Sequence, residues 1–456
     1  MSDFILYVAI RVITLFIIWY VVVLYGLGLV RMVLALFIIP GHIKKTKRRE
    51  STQMAASANS LPISLLVPVY NEADTIVESV KSMLNMNYDN FEVIVINDGS
   101  TDASLQAIVE AFGLHKISYP VRDRLAAKRV RDYYANLDIP RLRLIDKERG
   151  GKSDALNAGV NLSRYPYIMQ VNAGAIMEPD GLFPIASAFM HDKYTVAVAG
   201  ATRVANGCTV ADGSIQKAAL PKKIWPLFQT LEYFRIFLAG RMGWNRVNSL
   251  FINNGAFGAF HKEPILAVGG FTTGTEGEDT DMLIKLHRYM HSRKYKYRIC
   301  FVSEPVCQVR APESFRGLYR QRKAWQLRLM DTLGRSRALF MNPRYGWLGM
   351  AAIPYYFAFE MLAPVVELLG YILIPLAWYF GYLSFNFMGL FYIAAVLFGV
   401  VTSIGSLAAE ELTDTRHINV RDFLILSLLT IPENLFYRQL TVIFRFLGIF
   451  SSESRK

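Results

Sequence analysis

Hydrophobic and polar positions divide the chain into three regimes. No charged residue occurs from Val12 to Val30, and Arg11 and Arg31 bracket the run. At about 1.5 Å of rise per residue this is the length of one membrane-spanning helix. The apolar stretch continues to Pro40, which fits one tilted helix with an interfacial turn or a tight pair of helices. A cleaved leader needs a shorter apolar core and a small-residue cleavage site, and neither stands near Gly41, so residues 1–40 are expected to be a retained anchor. Over residues 61–312 the pattern changes to short apolar runs alternating with amphipathic ones. Strands are expected at Ile63–Tyr70, Phe91–Asn97 and Tyr167–Val171, and a helix at Glu72–Leu84. Such alternation predicts an α/β domain with a mostly parallel sheet. The third regime, 347–450, is apolar again and is uncharged from Leu368 to Ala409, enough for two spans with a turn near Gly381 to Asn386. Glu360 and Glu367 stand seven apart on one helical face, placed either in a polar passage or at the headgroup level. A last segment, Phe423 to Phe450, carries Arg438 and Arg445 and is broken by Pro432-Glu433-Asn434, so it spans, kinks or re-enters.

Composition agrees with a chain partly in lipid: 53% of its 456 residues are hydrophobic. The net charge of +13 fits nucleic acid, an anionic membrane face or an anionic substrate, and the location of the charge decides between them. A basic cluster, His42 to Arg49, follows the first span directly. Positive-inside bias places this 41–60 linker and the domain after it in the cytoplasm of a multi-pass cell-membrane protein. Ser314 to Arg337 reads as a basic helix with Leu318, Trp325, Leu327 and Leu329 between the charges, which within 313–346 suits the cytoplasmic surface of a lipid bilayer. The 451–456 tail is basic at its end. Because the charge clusters beside membrane segments, no nucleic-acid partner is expected. Cys208, Cys300 and Cys307 have no metal or disulfide spacing and read as reduced thiols.

In open parallel sheets ligands bind beyond the carboxyl ends of the strands. Tyr70, Asn71, Asp98 and Asp102 follow two such ends and are placed to meet one nucleotide-like ligand. Asp98-Gly99-Ser100 is also a good turn and helix cap in its own right.

Val67-Pro-Val-Tyr-Asn-Glu72, Asn97-Asp-Gly-Ser-Thr-Asp102 and Gly150-Gly-Lys-Ser-Asp-Ala-Leu-Asn157 resemble, in order, the strings of the family 2 glycosyltransferases, which include the cellulose, chitin, hyaluronan and poly-N-acetylglucosamine synthases. The resemblance implies a GT-A domain over 61–312 that takes a UDP-sugar donor, with Tyr70, Glu72 and Asp98 on the nucleotide and Lys152 beside it. Gly277-Glu-Asp-Thr-Asp281 resembles the family's Thr-Glu-Asp segment, which makes Asp279 the candidate general base of an inverting transfer. Acids in a first helical turn are also favoured by the helix dipole alone. Asn253 to Phe260 stands where the family builds the acceptor floor, or is a packed strand and turn. Gln321-Arg-Lys-Ala-Trp325 resembles the QxxRW signature, and by that match Gln321 meets the diphosphate and Trp325 stacks on the acceptor sugar.

Two departures stand out. The family's Asp-x-Asp, which holds the Mg²⁺ or Mn²⁺ of the leaving diphosphate, is replaced by Asn172-Ala173-Gly174, and the arginine of QxxRW by Ala324. Glu178 and Asp180 follow the metal position without occupying it. Hard carboxylate oxygens hold such cations, and one lost stabiliser of a leaving group costs about 10²- to 10³-fold in rate. Three explanations are open: an inactive relative that supports a partner subunit, a metal-independent enzyme using Lys152, Arg322 or Lys323 as the electrophile, or an altered chain. The function expected is therefore a membrane-embedded transferase that extends a glycan. The alternatives are a scaffold, or a single-transfer enzyme acting on a glycolipid acceptor. The Lys- and Arg-rich insertion Gly113 to Pro140 reads as a solvated surface.

Overall fold

A computed structural model describes residues 2–53, 60–120, 122–252, 255–275, 277–413 and 419–450. A ten-stranded sheet forms the centre of the region after the first helix. Its strands are β1 (Ile63–Val69), β2 (Phe91–Asn97), β3 (His115–Ile117), β4 (Val130–Ala135), β5 (Leu142–Lys147), β6 (Tyr167–Val171), β7 (Ile176–Met177), β8 (Thr195–Val204), β11 (Phe257–His261) and β12 (Arg298–Val309), while β9 (Thr209–Ala211) and β10 (Ser214–Lys217) form a separate hairpin. The order is β3-β4-β5-β2-β1-β6-β11-β8-β12-β7. The central strands β5, β2, β1 and β6 pair in parallel. β11 runs against both β6 and β8, so β8 and its parallel partner β12 regain the central direction. Within this sheet β4, β11 and β7 run the opposite way, and the expected α/β fold with mostly codirectional strands is the one observed.

The strand runs are continuous and apolar because both faces of the sheet are covered. All seven residues of β2 are buried. One face packs under Ile76–Leu84, Ser104–Phe112 and Leu182–His191 through Val80, Ile108 and Ile185; the other packs under Lys152–Leu162 and Glu278–Ser292 through Leu156 and Met282. The first of these helices starts at Ile76, later than Glu72, because Asn71 adopts φ 54° and residues after it form a turn. The insertion Gly113 to Pro140 is more than solvated surface: it supplies β3 and β4, which extend the sheet antiparallel from β5. Its half-polar edge strands carry no apolar run for a pattern to detect.

The first helix runs from Ser2 to Gln53, so the basic stretch expected as a linker is helical through Gln53. The rest of that stretch, residues 54–59, lies outside the described residues, as does the 451–456 tail. Ile10–Leu34 and Phe385–Glu411 are long and apolar enough to cross a membrane, and Leu348–Met361 with Ala363–Tyr379 forms a further apolar pair bent by 41°. The break between helices Ala363–Tyr379 and Phe385–Thr413 falls at Gly381, where φ is 78°. Glu360 and Glu367 therefore lie on two bent pieces instead of one straight face. Pro432-Glu433-Asn434 is a polar anchor inside the last helical stretch. The buried Glu433 accepts from Arg235 Nη1 at 2.5 Å and Ser403 Oγ at 2.8 Å, tying the stretch to two other elements.

Candidate active site

The carboxyl ends of β1, β2, β6 and β12 open on a cavity of about 490 Å³ lined by Tyr70, Glu72, Asp98, Lys152, Asn172, Gly174 and Arg310 among others. Asn71 stitches the first two ends together. Its Nδ2 donates to Thr101 Oγ1 at 3.2 Å, and its Oδ1 accepts from the Thr101 amide at 2.8 Å. Gly99, at φ 67°, must be glycine, because a Cβ there would lie 2.9 Å from the backbone nitrogen of Arg149.

Asp98 is buried, and its carboxylate is the knot of this edge. Lys147 Nζ donates to Oδ1 at 2.7 Å, the Gly150 amide to Oδ1 at 2.9 Å and the Gly151 amide to Oδ2 at 2.7 Å. Lys147 is wholly buried and also pairs with Asp154 at 2.5 Å. Asp154 in turn accepts from the Lys128 amide at 3.0 Å. Lys147, Asp154 and Arg149 were not singled out from the sequence. Arg149 donates to the Tyr70 hydroxyl at 2.6 Å and covers its ring at 4.0 Å. Lys147 ends β5, all six residues of which are buried, and a buried lysine calls for an internal acid.

The expected metal position was tested against its donors. Asn172 and Gly174 line the cavity, and Glu72 and Asp98 are the carboxylates beside them. Asp98 is consumed by Lys147 and two amides, and Glu72 accepts from Thr75 Oγ1 at 2.9 Å. Glu178 accepts from Gln308 at 2.8 Å and Asp180 from Asn87 at 3.0 Å, so neither is turned to this task. Among the described residues no group of three His, Cys, Asp or Glu side chains could hold a metal ion. This donor set does not fit Mg²⁺ or Mn²⁺.

A second cavity, of about 380 Å³, lies between the α/β domain and the apolar helices, and Asp279 and Trp325 both line it, together with Glu360, Glu367 and Arg445. Asp279 is in the first turn of Glu278–Ser292, where the sequence placed it. Its carboxyl is buried, and its Oδ2 has no hydrogen-bond partner among the described residues. Burial first, then the neighbouring Glu278, raises its pKa above the usual carboxylate range, against the lowering pull of Lys152 and Arg328. Gly255, at φ 77°, lies beside it: a Cβ there would be in van der Waals contact with Oδ2, at 3.9 Å. Asn253 and Asn254 of the expected acceptor floor lie outside the described residues.

The helix Phe315–Arg335 is capped by Ser314, whose Oγ accepts from the Gly317 amide at 3.1 Å. Trp325 faces Tyr233 with ring centroids 6.4 Å apart. Gln321 lines neither of the two cavities, and its Oε1 is buried without a hydrogen-bond partner among the described residues. Arg322 does not serve as a free electrophile. It is 1% exposed and makes a two-pronged pair with Glu232, at 2.8 and 2.5 Å, besides a 2.9 Å bond to the Tyr437 hydroxyl. Lys152, on the wall of the first cavity, pairs with Glu278, the chain neighbour of Asp279, which lines the second.

Against known families, residues 64–247 match Glycosyl transferase family 2 and residues 228–404 match Glycosyl transferase family group 2. The chain belongs to the family 2 glycosyltransferases. This glycosyltransferase is 28% identical over 263 residues to the poly-beta-1,6-N-acetyl-D-glucosamine synthase of Staphylococcus epidermidis, and 27% identical over 263 residues to that of Staphylococcus aureus strain MSSA476. Each alignment covers 58% of this chain, and the chain spans about half, 53%, of the length of these curated relatives. Among solved structures, PcManGT, a mannosyltransferase from Pyrobaculum calidifontis in complex with GDP-Man and Mn²⁺, superposes with a TM-score of 0.51 at 15% identity. That match covers 94% of this chain and all of the other, and it bears on the fold alone.

Proposed function

We propose that this glycosyltransferase transfers a sugar from a UDP-sugar to a growing glycan with inversion, embedded in the cell membrane with its α/β domain in the cytoplasm. The observation that carries the reading is the setting of Asp279, a buried acid whose Oδ2 has no hydrogen-bond partner among the described residues: it lines the cavity that holds Trp325 and follows Glu278, the ion-pair partner of Lys152 on the wall of the first cavity. In the reaction the acceptor hydroxyl oxygen forms a bond to the anomeric carbon. The bond from that carbon to the diphosphate oxygen breaks, its electron pair stays on the diphosphate, and the hydroxyl proton passes to Asp279. A raised pKa makes the ionised Asp279 carboxylate a stronger base toward that proton. The second cavity continues among apolar helices to Glu367 and Arg445, which favours a glycan passing onward over a single transfer to a glycolipid. Outward-facing Trp19, Leu390, Ile393 and Leu428 on those helices support placement in lipid.

The test is release of UDP from labelled UDP-sugars by the full chain in detergent or nanodiscs. Wild type should turn over, and Asp279→Asn should lose about 10²- to 10⁴-fold, the range of general-base contributions. An unchanged rate in Asp279→Asn would overturn the reading. The absent carboxylates at 172 and 174 favour one competing reading, a support subunit for a partner synthase. Turnover gained only in Asn172→Asp with Gly174→Asp would select it.

A further inference from the structure

In the donor cavity four charged side chains face the space: Glu72, Asp98, Lys152 and Arg310. Three are already engaged. Asp98 is held by Lys147, Glu72 accepts from Thr75, and Lys152 pairs with Glu278. Arg310 differs: it is exposed, it follows the carboxyl end of β12, and its side chain makes no hydrogen bond or ion pair among the described residues. The acid that it influences, Glu313, is itself held by Lys223 at 2.6 Å and by Asn206 at 3.0 Å. Arg310 therefore contributes a positive charge not matched by a bonded acid to the cavity that also contains Asn172-Ala173-Gly174.

We propose that Arg310 is a donor-binding residue whose guanidinium holds the donor's diphosphate in place of the divalent cation, so that nucleotide binding here is independent of metal. The inference rests on the nucleotide-sugar reading above. A planar guanidinium can engage two phosphate oxygens at once and stays charged at every relevant pH. As the anomeric carbon–oxygen bond breaks, the electron pair left on the diphosphate raises its negative charge, and a fixed cation beside it offsets that charge without needing a carboxylate cage. Lys152 is less suited, because Glu278 already matches its charge. The alternative of a hidden metal requirement is open to direct comparison. A Cβ at Gly174 would meet only Thr75 Oγ1, at 3.7 Å, so the backbone accepts an aspartate there.

The experiment is equilibrium binding of UDP and of uridine to the full chain in detergent, with EDTA or with Mn²⁺, for wild type, Arg310→Ala, Arg310→Lys and Asn172→Asp with Gly174→Asp. Wild type should bind UDP in EDTA with an affinity that Mn²⁺ leaves unchanged. Arg310→Ala should weaken UDP at least about tenfold, as expected for a lost charge-assisted bond, with uridine binding unchanged, and Arg310→Lys should recover part of the loss. The double aspartate variant should gain affinity with Mn²⁺. Equal UDP affinity in wild type and Arg310→Ala, or a wild type that needs Mn²⁺, overturns the role of Arg310 and leaves the donor reading standing. A wild type that binds neither UDP nor uridine overturns both.

Discussion

Lys152 Nζ, on the wall of the cavity at the strand ends, pairs with the carboxylate of Glu278, the residue before Asp279. One ion pair thus ties the glycine loop beside the first cavity to the residue next to the acid of the second. Glu278 raises the Asp279 pKa and Lys152 lowers it.

Lys152→Gln should move the acid limb of the pH profile of kcat/KM to higher pH, since the charge that favours ionised Asp279 is gone. Glu278→Gln should move it to lower pH. Both shifts are read from initial rates between pH 5 and about 9, and equal limbs in the two variants would exclude Asp279 as the group titrating in the reaction.

Asp279→Asn should stabilise the folded chain while removing turnover. A carboxyl whose folded pKa is raised contributes stability below its unfolded pKa, and that contribution is lost as pH rises through the folded value. The amide escapes this loss, so its gain in Tm over wild type should grow as pH rises above the unfolded carboxylate pKa of about 3.9. A gain that shrinks over the same range would contradict the assigned direction.

Arg322, Glu232 and Tyr437 bind the helix Phe315–Arg335 to two other elements. Removing one member of a buried pair costs about 3–5 kcal/mol, because the remaining charge is stranded. Arg322→Met should show a loss of this order in thermal unfolding, and Arg322→Met with Glu232→Met should recover most of it. Additive losses would mean that the two side chains act separately.

His287 is fully buried between the Tyr297 hydroxyl, at 2.6 Å, and the Leu250 carbonyl, at 2.9 Å. Burial lowers its pKa to about 4. Between its unfolded value of about 6.5 and the folded value, the unfolded chain binds the additional proton. Stability should therefore fall as pH drops through that window, by about 3 kcal/mol at most. His287→Gln should flatten this part of the Tm profile, and an unaltered slope would assign the acid sensitivity to other groups.

The parallel strands could be read in the sequence because both their faces are buried: β1, β2 and β6 are apolar runs whose ends are marked by turn residues. The gap at Gly381 and the helix capped by Ser314 were equally local, set by a positive φ and by a side chain three residues from its donor. The edge strands β3 and β4 were not legible, because half-exposed edges tolerate polar residues. The continuation of the first helix through Pro40 to Gln53 also escaped a reading that ended the apolar segment at that proline.

By itself the sequence determined the central apolar strands, the family strings and the missing carboxylates at 172 and 174, since each is a matter of residue type and short spacing. Only the tertiary structure decided which charges are left to act. Arg322 is neutralised by Glu232, 90 positions away, Asp98 by Lys147, 49 away, and Glu433 meets Arg235 across 198. A side chain's charge is fixed by its chemistry, but its partner is chosen by packing, and among the described residues packing leaves Asp279 with an unbonded oxygen and Arg310 without an ion pair.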